Sequence, residues 1–160
     1  MSGAVSPVPA GFNTVSAHLV IRGAAAAIEF YQKAFGAEVK GMMPSPDGRV
    51  MHAEMRIGDS MIMLNDEFPE MGAQSPSALG GSPVTMHIYV ADCDALWNRA
   101  VAAGATVRMP LADMFWGDRY GVLADPFGHH WSIGTHKEDL TAEEVGQRAA
   151  EAMKQMPPKA

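Results

Sequence analysis

His18-Leu19-Val20-Ile21, an Ala-rich run, and then Phe35-Gly36-Ala37-Glu38-Val39 open the first half of the chain. His87-Ile88-Tyr89-Val90, a second helix-like run, and Ala103-Gly104-Ala105-Thr106-Val107 open the second half. The histidines lie 69 positions apart and the glycines 68. Self-similarity at a fixed offset dictates architecture, and two copies describe an internally duplicated domain. Duplication relates equivalent faces by a pseudo-twofold axis. It therefore predicts a pocket between the halves, lined by paired positions, with His18 and His87 as the first pair.

Each copy reads as β-α-β-β-β. In the first, residues 14–21 are strand-like, and Ile28, Tyr31 and Phe35 recur at helical spacing over residues 24–35. Gly36 stops that helix. Residues 38–43, 49–57 and 61–64 follow as strands, separated by Pro44-Ser45-Pro46-Asp47-Gly48 and Gly58-Asp59. In the second copy, residues 84–90 are a strand and residues 93–103 a helix capped by Asp92. Residues 106–109 form a strand broken by Pro110, and residues 119–123 and 130–134 complete the set. Thr141 with Glu144 fits a capping box for an appended helix over residues 141–156. The fold class is α+β: two tandem β-α-β-β-β modules forming a curved mixed sheet around a cup, plus the C-terminal helix. The expected organisation is a flexible tail over residues 1–11 and one domain over 12–140. That domain comprises a module at 12–65, a linker at 66–83 and a module at 84–136.

With 160 residues and a formal charge of −6, the chain is long enough for a real core and lacks the clustered cations a nucleic-acid surface needs. No apolar run approaches the roughly 20 residues that cross a bilayer. The opening residues lack the basic and apolar regions of a secretory signal, and Cys93 is the one cysteine. Together these lead to the expectation of a cytoplasmic protein.

Phe30-Tyr31-x-x-Ala34-Phe35-Gly36 and Asp125-Pro126-x-Gly128-His129-x-Trp131, set in two such modules, resemble the vicinal oxygen chelate superfamily. That superfamily includes glyoxalase I, bleomycin-resistance proteins, fosfomycin-resistance enzymes and extradiol dioxygenases. Residues 115–121 and 135–141 are similar to its PhnB-like branch. The resemblance implies a homodimer that binds a small molecule in the cup. In the superfamily's metal enzymes each module supplies one ligand from its first strand and one from its fourth. By position these fall on Ser16, Met63, Thr85 and Ser132, none of which is a nitrogen or carboxylate donor for a divalent ion. No cofactor is therefore expected, and a ligand-sequestering protein is favoured over an enzyme.

Strand residues two apart share a face, so His18 and His87 are expected to look into the same cavity as Ser16 and Thr85. An alternative displaced metal site is His18, Glu54 and His87, serving glyoxalase-like lyase or isomerase chemistry. His52 and Glu54 share a strand face and are the catalytic candidates, with Glu54 either a general base or paired to Arg49 or Arg56. Trp116 and Arg119, in the densest aromatic and charged cluster, suit a flat or anionic molecule. The ligand-binding set is thus His18, His52, Glu54, Met63, His87, Trp116 and Arg119. Met42, Met43, Met51, Met55, Met61, Met63 and Met86 add soft apolar surface on the predicted strands. His129, Cys93 and the Gly80-Gly81 linker read as structural. Trp97, Phe115 and Trp116 are compatible with a subunit contact.

Overall fold

A computed structural model describes residues 5–155. The first module contains β1 (His18–Ile21), α1 (Ala24–Phe35), β2 (Glu38–Pro44), β3 (Val50–Ile57) and β4 (Ser60–Asp66). A 3-10 turn (Pro69–Met71) and the short α2 (Pro76–Leu79) lie in the segment expected as a linker. The second module contains β5 (Thr85–Tyr89), α3 (Cys93–Ala103), β6 (Thr106–Asp113), β7 (Asp118–Ala124) and β8 (His130–His136), and α4 (Ala142–Lys154) follows.

The expected curved sheet is two four-stranded sheets, ordered β1-β4-β3-β2 and β5-β8-β7-β6. In each, the first strand runs parallel to the fourth and the other pairs are antiparallel. One strand differs from the sequence reading. β6 continues through Pro110, because it is the edge strand and its pairing with β7 shifts register between Met109 and Ala112. A proline without an N–H is tolerated at such a place.

Each sheet carries its helix on one face and leaves the other open. Leu19, Ile21, Ala53, Met55 and Leu64 point to the α1 side and are buried, as are Leu123, Trp131 and Ile133 on the α3 side. The two helices pack on each other, so the backs of both sheets share one core. Caps come from beyond the local sequence. α1 has no side-chain cap of its own, and Asp66 at the end of β4 accepts from the N–H groups of Gly23 and Ala24 (3.0 and 2.8 Å) and of Val50 (2.8 Å). In the second module Thr135 at the end of β8 takes the same role toward Cys93, whose N–H it accepts at 3.0 Å. Asp92 and the Thr141–Glu144 capping box form as expected.

The halves are pinned by Asp125. Its Oδ1 accepts from the N–H groups of Phe127 and His129, both at 2.9 Å, which shapes the β7–β8 turn. Its Oδ2 accepts from Trp131 Nε1 at 3.0 Å and, across the module boundary, from Tyr31 Oη of α1 at 2.7 Å. Burial, with the carboxylate beside it, pushes the Tyr31 phenol well above its ordinary pKa, so it stays a donor. Tyr31→Phe keeps the ring packing and removes one donor from a buried carboxylate. The expected cost is about 1–3 kcal/mol, read in urea denaturation as a lower midpoint at unchanged slope. An unchanged midpoint would show that the bond does not join the modules.

Candidate functional site

The open face of the second sheet is built around a row of rings. Tyr89 on β5, Gly134 on β8 and Tyr120 on β7 are register partners across the sheet. Gly134 has no side chain, and the imidazole of His87 fills the space above it; a Cβ at Gly134 would lie 3.2 Å from His87 Cε1. His87 therefore lies edge-on to Tyr89 (centroids 4.2 Å apart) and nearly parallel to Tyr120 (5.6 Å, 24°). Trp116, in the turn before β7, meets Tyr120 edge-on at 5.4 Å, and Phe115 continues the row at 5.0 Å from Trp116. Nδ1 of His87 is 2.7 Å from Ser132 Oγ, which orients the imidazole.

Beneath the rings lies Asp118, which is 5% exposed. Its Oδ2 accepts from Tyr89 Oη at 2.7 Å and Trp116 Nε1 at 3.2 Å, and its Oδ1 from His136 Nδ1 at 2.7 Å. The second nitrogen of His136 is 2.8 Å from Asp139 Oδ1. Both imidazole nitrogens thus face carboxylate oxygens, an arrangement that needs two donors and hence the imidazolium. Asp139 first and Asp118 second raise the His136 pKa above 6.5. Burial acts to raise Asp118, but donors from His136, Tyr89 and Trp116 outweigh it and hold its pKa below the ordinary carboxylate value. Burial lowers the His87 pKa, and the more distant Asp118 only partly opposes this. The site therefore pairs a neutral, ring-stacked histidine with a charged one that locks the carboxylate.

The remaining sequence-derived candidates sit elsewhere. Arg119 alternates to the opposite face from Tyr120 and Asp118. Its guanidinium makes a bidentate pair with Asp94 of α3 (2.7 and 2.8 Å) and reaches Asp113 at 3.3 Å, so it is a structural clamp and not part of the ring row. His18, His52, Glu54 and Met63 share the open face of the first sheet. His18 Nε2 donates to Asn65 Oδ1 at 2.6 Å, its ring is 5.9 Å from that of His52, and His52 Nε2 is 3.5 Å from Glu54 Oε1. The arginines expected to pair with Glu54 choose other acids: Arg56 takes Glu38, and Arg49 takes Asp47 and Glu70.

A cavity of about 410 Å³ does lie between the modules. Ser16 and Ala17, the β3–β4 hairpin, and residues 86–90 line it, with Phe35 and Trp131 at its wall. His87 borders it, but His18 does not. Among the described residues no group of three or more His, Cys, Asp or Glu is placed to hold a metal ion, so His18, Glu54 and His87 are not brought together within one chain. The family's ligand positions fare no better chemically. Ser16 precedes β1, Met63 and Thr85 offer a thioether and a hydroxyl, and the Ser132 hydroxyl is engaged by His87. This donor set does not fit a nitrogen- or carboxylate-held divalent ion.

Sequence reading missed Tyr89, Tyr120, Asp118 and His136 as one unit. The available signal was strand alternation, which puts Asp118 and Tyr120 on one face of β7 and His87 and Tyr89 on one face of β5.

A family model described as the glyoxalase/bleomycin resistance protein/dioxygenase superfamily matches residues 12–133. The protein Rv0887c of Mycobacterium tuberculosis is 52% identical over 134 residues, covering 82% of this chain and 79% of that protein. Among solved structures, TioX from Micromonospora sp. ML1 superposes with a TM-score of 0.63 at 23% identity, covering 78% of this chain and 98% of its own. A PhnB protein from Bacillus cereus superposes with a TM-score of 0.59 at 19% identity, covering 77% and 99%. At these identities the structural likenesses establish the fold.

The two site histidines should titrate on opposite sides of pH 6.5. The folded-state pKa of His136 is raised, so its contribution to stability is complete below about 6.5 and is lost as pH rises through the folded value. The folded-state pKa of His87 is lowered, so its protonation below 6.5 favours the unfolded chain. Imidazole Hε1 shifts followed by NMR should give a midpoint above 6.5 for His136 and below it for His87. Asp139→Asn should lower the first and leave the second in place. The reverse order of midpoints would contradict the paired-carboxylate geometry.

Proposed function

Because the chain belongs to the glyoxalase/bleomycin resistance protein/dioxygenase superfamily, we propose that it binds a small apolar or aromatic molecule on the open face of its second sheet, without the superfamily's usual metal. The observation that carries this reading is the continuous ring row of Trp116, Tyr120, His87 and Tyr89, supported from below by a carboxylate whose donors are all internal. Tyr89 is 60% exposed. A row in which Trp116, His87 and Tyr89 are held by hydrogen bonds and Tyr120 packs between them offers a flat ligand a stacking surface with little rearrangement. The poor donor chemistry of Ser16, Met63, Thr85 and Ser132 supports binding over metal-assisted lyase or isomerase activity. The fold likeness to the PhnB protein supports placement in that branch.

Binding is tested with proflavine, a flat cationic fluorophore, which the net charge of −6 favours. The expected result is saturable binding of one probe per chain. Trp116→Ala and Tyr120→Ala should each weaken it about tenfold, which is the scale of about 1.4 kcal/mol for one lost aromatic contact. Equal affinity in both variants would remove the ring row from the ligand's site.

A homodimer belongs to the same proposal. Edge strand β2 leaves Val39, Met42 and Met43 exposed, and edge strand β6 leaves Val107 exposed. Apolar side chains concentrated on sheet edges invite pairing with another copy. Light scattering at micromolar concentration should give twice the chain mass of 17.1 kDa. A mass of one chain would refute the dimer and leave the binding proposal standing.

A further inference from the structure

The carboxylate beneath the ring row polarises the rings above it. Tyr89 Oη and Trp116 Nε1 both donate to Asp118 Oδ2. A ring whose O–H or N–H is bonded to an anion is itself polarised, so its face attracts a cation more strongly. Among the described residues no Lys or Arg pairs with Asp118, and its one cationic partner is His136 at 2.7 Å. Arg119, although adjacent in sequence, is turned to the other face and engaged by Asp94 and Asp113. His136 and its second partner Asp139 both follow residues 12–133, the stretch that the family model matches. The counterion of the ring row is therefore a feature of this chain outside the matched region.

That counterion can be removed by solvent. The His136 side chain is 54% exposed, and with Tyr89 it lines an open depression of about 560 Å³ at the Tyr89 end of the row. The titratable groups around it are Asp118 of β7, Asp139 after β8 and the Tyr89 phenol of β5. Glu138 pairs instead with Arg148 of α4. The Asp118 hydrogen bond holds Tyr89 above its ordinary value of 10, and burial holds His87 below 6.5. His136 is thus the group of the row that loses a proton as pH rises from 6.5. While it is charged, it offsets Asp118. Once neutral, it leaves Asp118 as an uncompensated anion under the rings, and a charge so buried is weakly screened. Asp139, fully exposed, is screened by solvent.

Resting on the binding surface proposed above, we infer that the ring row takes a flat organic cation and that the proton on His136 competes with that cation for the charge of Asp118. Binding is strong when His136 is neutral, and acidification that charges His136 weakens it. An uncharged flat molecule stacks on the same rings without this dependence. The linkage acts through charge alone and needs no rearrangement of the chain. It is also reciprocal: a bound cation disfavours the imidazolium by the same factor by which the imidazolium disfavours the cation.

The test titrates the full chain with N-methylacridinium, whose charge is fixed, and with its uncharged counterpart N-methylacridone, from pH 6.5 to about 9. Affinity for the cation should rise about threefold through the His136 midpoint, the scale of one screened charge several ångströms away. Affinity for the acridone should stay level. In His136→Gln the cation should bind at the wild-type alkaline level throughout, with no rise. In Asp139→Asn, a change at a fully exposed side chain, the rise should move to lower pH together with the His136 Hε1 midpoint. Saturating N-methylacridinium should lower that midpoint in the wild-type chain by about half a pH unit, the same threefold read from the other side. Identical profiles for the two probes, a rise retained in His136→Gln, or an unmoved midpoint would each overturn the proton linkage. If Trp116→Ala still weakened both probes in that case, the binding surface would stand without it. Failure of either probe to bind, or equal affinity in Trp116→Ala, would overturn the binding surface and the linkage together.

Discussion

The buried carboxylate of Asp125 holds the duplicated halves in one relationship. It is nearly inaccessible, yet four donors surround it: two backbone N–H groups of its own turn, the indole of Trp131, and the phenol of Tyr31 from the other module. A buried charge is tolerable only when it is so fully bonded. Around it Tyr31, Phe35, Phe127 and Trp131 pack, with Phe35 and Trp131 centroids 4.7 Å apart. His129 adds a bond to the Val20 carbonyl at 3.0 Å, and Arg99 of α3 donates to the Gln32 and Lys33 carbonyls at the end of α1. The motif residues that mark the superfamily are thus the ones that join the modules. They report on assembly and carry no information about ligand chemistry.

The open faces are where the two copies have diverged. In both, the first-strand histidine bonds a polar side chain on the fourth strand, but to a different partner. His87 uses Ser132, its direct register partner, while His18 reaches past Met63 to Asn65. The position equivalent to Asn65 is Gly134, since Val20 pairs with the one and Tyr89 with the other. An amide at that place holds His18 by a polar contact. A glycine lets His87 lie over the strand between two tyrosines. Glycine for asparagine, together with Tyr89 where the first module has Val20, separates an aromatic face from a polar one.

Much of this architecture is legible in the chain. The repeat fixed at His18 and His87 locates both modules, and Gly36 and Gly104 close the helices where expected. The appended helix begins at its capping box. What stayed hidden depends on contacts between distant residues. The Asp66 cap of α1, the Asp118–His136 bond and the Arg119–Asp94 clamp join positions 18 to 42 apart, so no local pattern announces them. Arg119 shows the limit plainly. Its neighbours Asp118 and Tyr120 belong to the open face, but alternation turns Arg119 to the helix. Proximity in sequence within a strand is thus a poor guide to membership of a site.

The same alternation explains how one fold can host unlike chemistries. Every second residue of β1, β4, β5 and β8 is committed to the shared core, where Leu19, Ile21, Leu64, Trp131 and Ile133 leave little room for change. The intervening residues bear no packing constraint from the helices. His18, Met63, His87 and Ser132 are such residues, and metal ligands in other members fall on or beside these rows. Replacing them leaves the core and the Asp125 junction untouched. Substitutions on the open faces are then borne at small cost to stability. The constraint that preserves the superfamily's fold is the same one that leaves its chemistry free to drift.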